Sequence, residues 1–140
     1  MAEGLKIEIV SPERLVLSQT VTAVTVPGSE GYFTVMADHA PFMTTLRPGF
    51  ITVTGSAGRD EIFFVKGGFA DVSPDGLTIL AEESVPYAEF DHADLQNQIK
   101  AAEAKLDALP VEEKTYAQTL VNGLLNLALE AGQLNGVHAN

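Results

Sequence analysis

Four groups of residues have the types that chemistry needs: the run Gly28-Ser29-Glu30-Gly31, the histidines His39, His92 and His138, the pair Glu82-Glu83, and the serines. A phosphate-binding loop requires Gly-Lys-Ser/Thr opening a helix, so that lysine and backbone N–H groups face the phosphates. Here Tyr32-Phe33-Thr34-Val35 follows instead, which opens a strand, and no lysine stands in it. The run reads as a hairpin turn. A metal site needs ligands at a recurring spacing, whereas the three histidines fall in a loop, at a helix start and at the chain end. Read as adjacent strand residues, Glu82 and Glu83 point to opposite faces and are poorly placed to work on one proton. No serine occupies a strained elbow beside a histidine. The residue pattern therefore predicts no catalytic centre, no metal and no cofactor.

The totals narrow the class further. The 140 residues carry eight basic and nineteen acidic side chains, a formal charge of −11. A nucleic-acid binder would need a basic stripe to neutralise phosphates, and docking on anionic lipid would need a polybasic face. Hydrophobic residues make up 46%, enough to fill a core, and cysteine is absent, which removes disulfides and thiolate chemistry. Met1 to Val10 include Glu3, Lys6 and Glu8 and lack the apolar core of a signal peptide. No stretch reaches the roughly 18 apolar residues of a membrane span.

Two periodicities divide the chain. Leu5, Ile7 and Ile9 alternate with Lys6 and Glu8, the period-2 signature of a half-buried strand. Similar runs follow at Leu15 to Leu17, Val21 to Val26, Tyr32 to Val35, Phe50 to Val53, Ile62 to Val65 and Leu77 to Leu80. Turn formers separate them: Ser11-Pro12, Pro27-Gly28, Pro48-Gly49, Gly55 to Gly58, Gly67-Gly68 and Ser73 to Gly76. This predicts an antiparallel β-sandwich over residues 1–87. Gly67-Gly68 marks a bulge or a close backbone approach. Phe64 and Phe69 sit in apolar runs, which places them inward.

After Pro86 the period changes. Leu95, Ile99, Ala102, Leu106 and Leu109 form one helical stripe, with Asp91 as the N-cap and Pro110 as the stop. A second helix is predicted from about Glu112 to Gln133, with Ala117, Leu120, Val121, Leu124, Ala128 and Ala131 on one face and Gly132 and Gly136 as stops. Residues 88–140 thus read as an antiparallel hairpin of two similar helices. Leu124, Leu125, Leu127 and Leu129 spread apolar surface round the second helix, more than one partner helix can cover. Gly123 has two readings: room for a close helix contact, or a tolerated cost of roughly 1 kcal/mol.

The run Val26-Pro27-Gly28-Ser29-Glu30-Gly31-Tyr32-Phe33-Thr34-Val35, then Asp38-His39-Ala40-Pro41 and Leu46-Arg47-Pro48-Gly49, resembles the epsilon-subunit family of F-type ATP synthases, equivalent to the mitochondrial delta subunit. Gly67-Gly68-Phe69-Ala70-Asp71-Val72 and Thr78-Ile79-Leu80-Ala81-Glu82 match the same family in order and spacing. The resemblance implies a ten-stranded sandwich followed by two helices. It implies a non-catalytic rotor subunit whose sandwich binds the gamma subunit and the membrane c-ring, with membrane contact only through that ring. By position, Ser29, Glu30, Gly31 and Tyr32 match the ring-facing turn, and His39 a loop near the same junction. It also implies a peripheral location on the cytoplasmic side of the bacterial inner membrane; Met1 directly before the first strand favours a bacterium over an organelle.

The helical half departs from the family pattern. Some members bind ATP through an acid followed three and four residues later by arginine and alanine; here the positions hold Asp91, Asp94 and Leu95. A carboxylate repels phosphates that arginine would clamp, so weak or no ATP binding is expected. In some members the hairpin reaches the alpha and beta catalytic subunits and brakes hydrolysis, partly through basic residues. From Phe90 onward this chain has seven acids against three lysines, a charge of −4, which predicts at most a weak brake. A second class is a free-standing sandwich binding a small ligand such as a nucleotide or sugar; a sugar binder would offer exposed aromatics, and tryptophan is absent.

Overall fold

A computed structural model describes the backbone of residues 4–55 and 60–138, and their side chains up to residue 134. Ser56, Ala57 and Gly58 of the expected Gly55 to Gly58 turn lie outside the described residues, as does the side chain of His138. The chain divides into two compact units, one ending at Phe90 and one starting at Asp91.

Among its described residues the first unit contains ten strands: β1 (Leu5–Val10), β2 (Leu15–Val21), β3 (Ala23–Gly28), β4 (Gly31–Met36), β5 (Phe42–Leu46), β6 (Gly49–Thr54), β7 (Asp60–Val65), β8 (Gly68–Ser73), β9 (Gly76–Ala81) and β10 (Ser84–Pro86). They follow the order β10-β7-β6-β3-β5-β8-β9-β1-β2, with β4 paired to β3. The β1–β9 pair is parallel, and every other described pair is antiparallel. The sheet folds over on itself: Gln19 of β2 donates to Glu61 of β7, joining strands from opposite ends of the order.

The alternation read in the sequence builds the core. Leu5, Ile7 and Ile9 are buried together with Val24, Val26, Val35, Ile51, Val53, Phe63, Val65, Val72, Leu77 and Ile79. Each fully buried side chain of this size contributes about 1.5–3 kcal/mol. A one-residue slip of any such strand would turn its inward set to water, so the register is strongly specified.

Strands β5, β8 and β10 escaped the periodic reading. The run of β5, Phe42-Met43-Thr44-Thr45-Leu46, does not alternate; β8 buries only Ala70 and Val72; and β10 has three residues. Glu82 and Glu83 lie in the bend between β9 and β10, both exposed, and not in a strand as their apolar flank suggested. Phe69 is exposed, contrary to the inward placement expected from its apolar run.

The second unit is a helical hairpin. Helix α1 (His92–Ala108) starts on Asp91, whose carboxylate accepts the Asp94 N–H, and ends before Pro110. A 3₁₀ turn over Val111–Glu113 leads into α2 (Lys114–His138). The helices have 17 and 25 residues, so the expected similarity in length does not hold. The helix continues through Gly132 and Gly136: a glycine costs only about 1 kcal/mol in a helix interior, too little to stop one by itself. On α2, Val121, Leu127 and Ala131 are buried while Leu120 is exposed. Leu120 and Leu127 are a heptad apart and share nearly one face, so position along the helix separates them, which periodicity does not encode. A Cβ placed on Gly123 would meet nothing within 4 Å, so no described residue uses it for close approach.

Candidate partner-binding surface

Gly28 pairs with Gly31, leaving Ser29 and Glu30 as the two-residue turn between β3 and β4. Gly31 has φ +131°, a conformation side chains rarely adopt, and this fixes glycine at the turn's exit. The turn is tied sideways to β5: the Ser29 N–H donates to the Thr45 carbonyl at 3.0 Å, and the Ser29 and Thr44 hydroxyls lie 3.2 Å apart. Glu30 is exposed.

Tyr32 stands opposite Pro27 on the outward side of the hairpin. Its hydroxyl accepts the backbone N–H of Phe50 at 3.1 Å, and the Arg47 guanidinium lies 4.8 Å from its ring centroid. The Arg47 N–H in turn donates to the Pro27 carbonyl at 3.0 Å. The structure thus gathers Ser29, Glu30, Gly31 and Tyr32 into one tip with Thr44, Thr45, Arg47 and Gly49.

His39 is not part of that tip. It follows Asp38, which holds φ 65°, in the loop after β4, and its hydrogen bonds stay local: Nδ1 to the Ala40 carbonyl at 2.7 Å and its N–H to the Met36 carbonyl at 3.3 Å. Asp91, Asp94 and Leu95 belong to the other unit. Asp91 caps the helix, Asp94 accepts from the Gln98 side-chain amide at 2.6 Å, and Leu95 is buried. Among the described residues no group of three His, Cys, Asp or Glu side chains could hold a metal ion, and no helix is long and apolar enough to cross a membrane.

A second feature went unnoticed in the sequence. Register places Thr45, Phe69, Leu80, Val10 and Leu15 side by side across β5, β8, β9, β1 and β2. They share the outward face, and the three largest stay open to solvent: Phe69 49%, Leu80 51% and Leu15 57%. The next outward row, Met43, Asp71, Thr78, Glu8 and Ser18, is mostly polar and bounds the patch. A groove of about 650 Å³ runs along it, rimmed by Lys66 and Glu82. The signal was available: Ala70, Val72 and Ile79 point inward, so Phe69 and Leu80 must point out. At its Thr45 end the row meets the carbonyl that receives Ser29.

A β-sandwich with an open apolar row beside a braced turn places the first unit in a class of small β-sandwich domains. The comparisons give that class its family. Residues 4–87 match the family model described as ATP synthase, Delta/Epsilon chain, beta-sandwich domain. The chain is 50% identical over 127 residues to the ATP synthase epsilon chain of Sinorhizobium medicae and 47% identical over 127 residues to that of Rhizobium meliloti, in each case covering 91% of this chain and 95% of the relative. Among solved structures it superposes on a chain of the Euglena gracilis mitochondrial ATP synthase, in a structure of OSCP/F1/c-ring in rotational state 1, with TM-score 0.77, 25% identity and coverage of 93% of this chain and 81% of that one. A chain from the Tetrahymena thermophila mitochondrial ATP synthase central stalk and c-ring shares the fold at TM-score 0.59 and 11% identity, covering 94% of this chain and 96% of that one. The chain belongs to the ATP synthase epsilon-chain family.

Proposed function

We propose that this chain is a non-catalytic rotor subunit that couples the gamma subunit to the membrane c-ring, on the cytoplasmic side of the bacterial inner membrane. The Ser29–Tyr32 turn meets the ring, and the Thr45–Phe69–Leu80–Val10–Leu15 row takes the gamma subunit. That row carries the reading. Each large apolar side chain left in water forgoes about 1.5–3 kcal/mol of burial, and a contiguous strip of them marks a partner surface. Its junction with the turn through the Ser29–Thr45 bond lets one rigid edge touch two partners. The hairpin adds at most a weak brake on hydrolysis, because its charge of −4 complements an acidic partner poorly.

Reconstitution tests this. The purified chain is added to a gamma-containing catalytic complex lacking its epsilon subunit, and binding and ATP hydrolysis are measured. Stable binding with hydrolysis little changed is expected. Binding abolished by Phe69→Asp with the fold intact would assign the row to that contact. No binding by the folded wild-type chain would return the sandwich to a free-standing ligand-binding role.

A further inference from the structure

We infer that Tyr32 and Arg47 form a clamp that positions the Ser29–Glu30 turn for its partner, and that residue 49 is glycine because the clamp leaves no room for a side chain. The inference rests on reading that turn as the ring-facing one, and it accounts for the Leu46-Arg47-Pro48-Gly49 run, which the proposed function leaves without a role.

The β3–β6 ladder ends at the Thr25–Thr52 pair. Beyond it β3 turns toward β5, where Gly28 pairs with Leu46. The N–H of Phe50, two residues past the last ladder pair, is taken by the Tyr32 hydroxyl at 3.1 Å. One side chain from the turn hairpin thus supplies the acceptor for a strand that the hairpin has left.

Gly49 sits beneath that bridge. A Cβ there would lie 2.7 Å from the Tyr32 hydroxyl and 2.8 Å from the Pro27 Cβ, closer than real Cβ contacts come. Arg47 closes the other side, with its guanidinium over the Tyr32 ring and its backbone N–H on the Pro27 carbonyl. Residues 27–32 and 47–50 therefore move as one tip, and Ser29 and Glu30 ride on it without making the bridge themselves. A turn held in its docking geometry before encounter loses less freedom on binding. Arg47 is a positioning residue in this sense, acting on the partner through the turn; Tyr32 stands at the turn's edge, and its hydroxyl has the same positioning role through the bridge to Phe50.

The test uses the full-length chain, titrated onto a gamma–c-ring assembly lacking epsilon, with amide hydrogen exchange of Ser29, Glu30 and Gly31 read on the free chain. Thermal melts set a working temperature at which every variant is folded. Tyr32→Phe, which keeps the ring and loses the acceptor, and Arg47→Ala are each expected to speed turn exchange and weaken binding about tenfold. Arg47→Lys, which keeps a cation over the ring, should recover most of the affinity. A purely structural role would lower the melting temperature and leave the affinity of the folded chain unchanged; that result overturns the clamp. Ser29→Ala with Glu30→Ala separates the two readings. If this pair weakens binding while Tyr32→Phe and Arg47→Ala do not, the turn is ring-facing and the clamp is wrong. If the pair leaves binding unchanged, the ring-facing reading fails and the clamp's role fails with it.

Discussion

Asp91 Oδ1 accepts the backbone N–H of Asp94 at 2.8 Å, so the acid that leads the nucleotide motif of some relatives here caps the first helix. Asp94, standing where that motif has arginine, is itself held by Gln98. Both carboxylates would have to face phosphate oxygens, which repels the ligand. Calorimetry with millimolar ATP is expected to show no binding tighter than about 1 mM, about 4 kcal/mol. Asp91→Ala should lower the stability of the helical unit by about 1 kcal/mol, seen as a lower melting temperature of its circular-dichroism signal. A sub-millimolar dissociation constant for the wild-type chain would contradict this account.

Gly68 is a backbone requirement of a different order from Gly31. Its φ is +128°, and a Cβ would fall on the Leu80 carbonyl, which belongs to the neighbouring strand and has nowhere to go. Gly31 has a similar φ of +131° with nothing within 4 Å of its absent Cβ. Strain alone accounts for about 1–3 kcal/mol at either position, and the clash is added only at Gly68. Gly31→Ala is expected to cost about 1 kcal/mol and Gly68→Ala at least about 3 kcal/mol in urea unfolding. Equal losses at the two sites would show that the Leu80 contact is unimportant.

How far the sequence reached follows from what each signal encodes. Period-2 alternation found β1, because a buried face and a solvent face leave opposite marks on alternate residues, and short apolar runs located β2, β3, β4, β6, β7 and β9. Neither signal marked β5, since Phe42, Met43 and Leu46 do not alternate, β8, which buries only Ala70 and Val72, or β10, which is too short to show a period. The Gly67-Gly68 reading as a close approach matches the packing of Gly68 on Leu80. Site residues were legible where they are local: Ser29 to Gly31 form one turn, and their types announce it. The outward facing of Phe69 and Leu80 could be read from their neighbours, but the row from Thr45 to Leu15 could not, because its members lie on five strands and meet only through register. The Tyr32–Phe50 bridge was hidden for the same reason, eighteen residues apart with a backbone group as one partner.

Tyr87 supplies a pH test. It packs edge-on to Phe50 at 5.7 Å between centroids, and desolvation raises its phenol pKa above the usual 10.0. A raised pKa means that the folded chain keeps its proton where the unfolded chain loses it. Its contribution is therefore fully present below pH 10 and is lost as pH rises through the folded-state value. Melting temperatures measured from pH 8 to 11 should fall at the alkaline end. Tyr87→Phe should flatten that fall. An identical alkaline slope in the variant would assign the loss to other groups.

The hairpin's contribution is best tested by ending the chain after Phe90. Phe90 packs on Phe50 and Phe64, at centroid distances of 5.3 and 4.9 Å, so cutting behind it keeps that aromatic cluster in the sandwich. The removed segment carries seven acids and three lysines, and α2 has no basic residue after Lys114 among its charged positions. Against an acidic partner such a helix gains little from charge, so its hold must come from apolar contact. Leu125 and Leu129, one turn apart and both exposed, are two of the side chains available for it, with Tyr116 and Leu120. In the reconstituted complex, the chain ending at Phe90 is expected to bind as the full chain does and to leave hydrolysis nearly unchanged. A several-fold rise in hydrolysis on truncation would mean that the hairpin is a strong brake. Leu125→Ser with Leu129→Ser would then reproduce the rise if those two leucines make the contact, and Lys105→Gln with Lys114→Gln would do so if charge does.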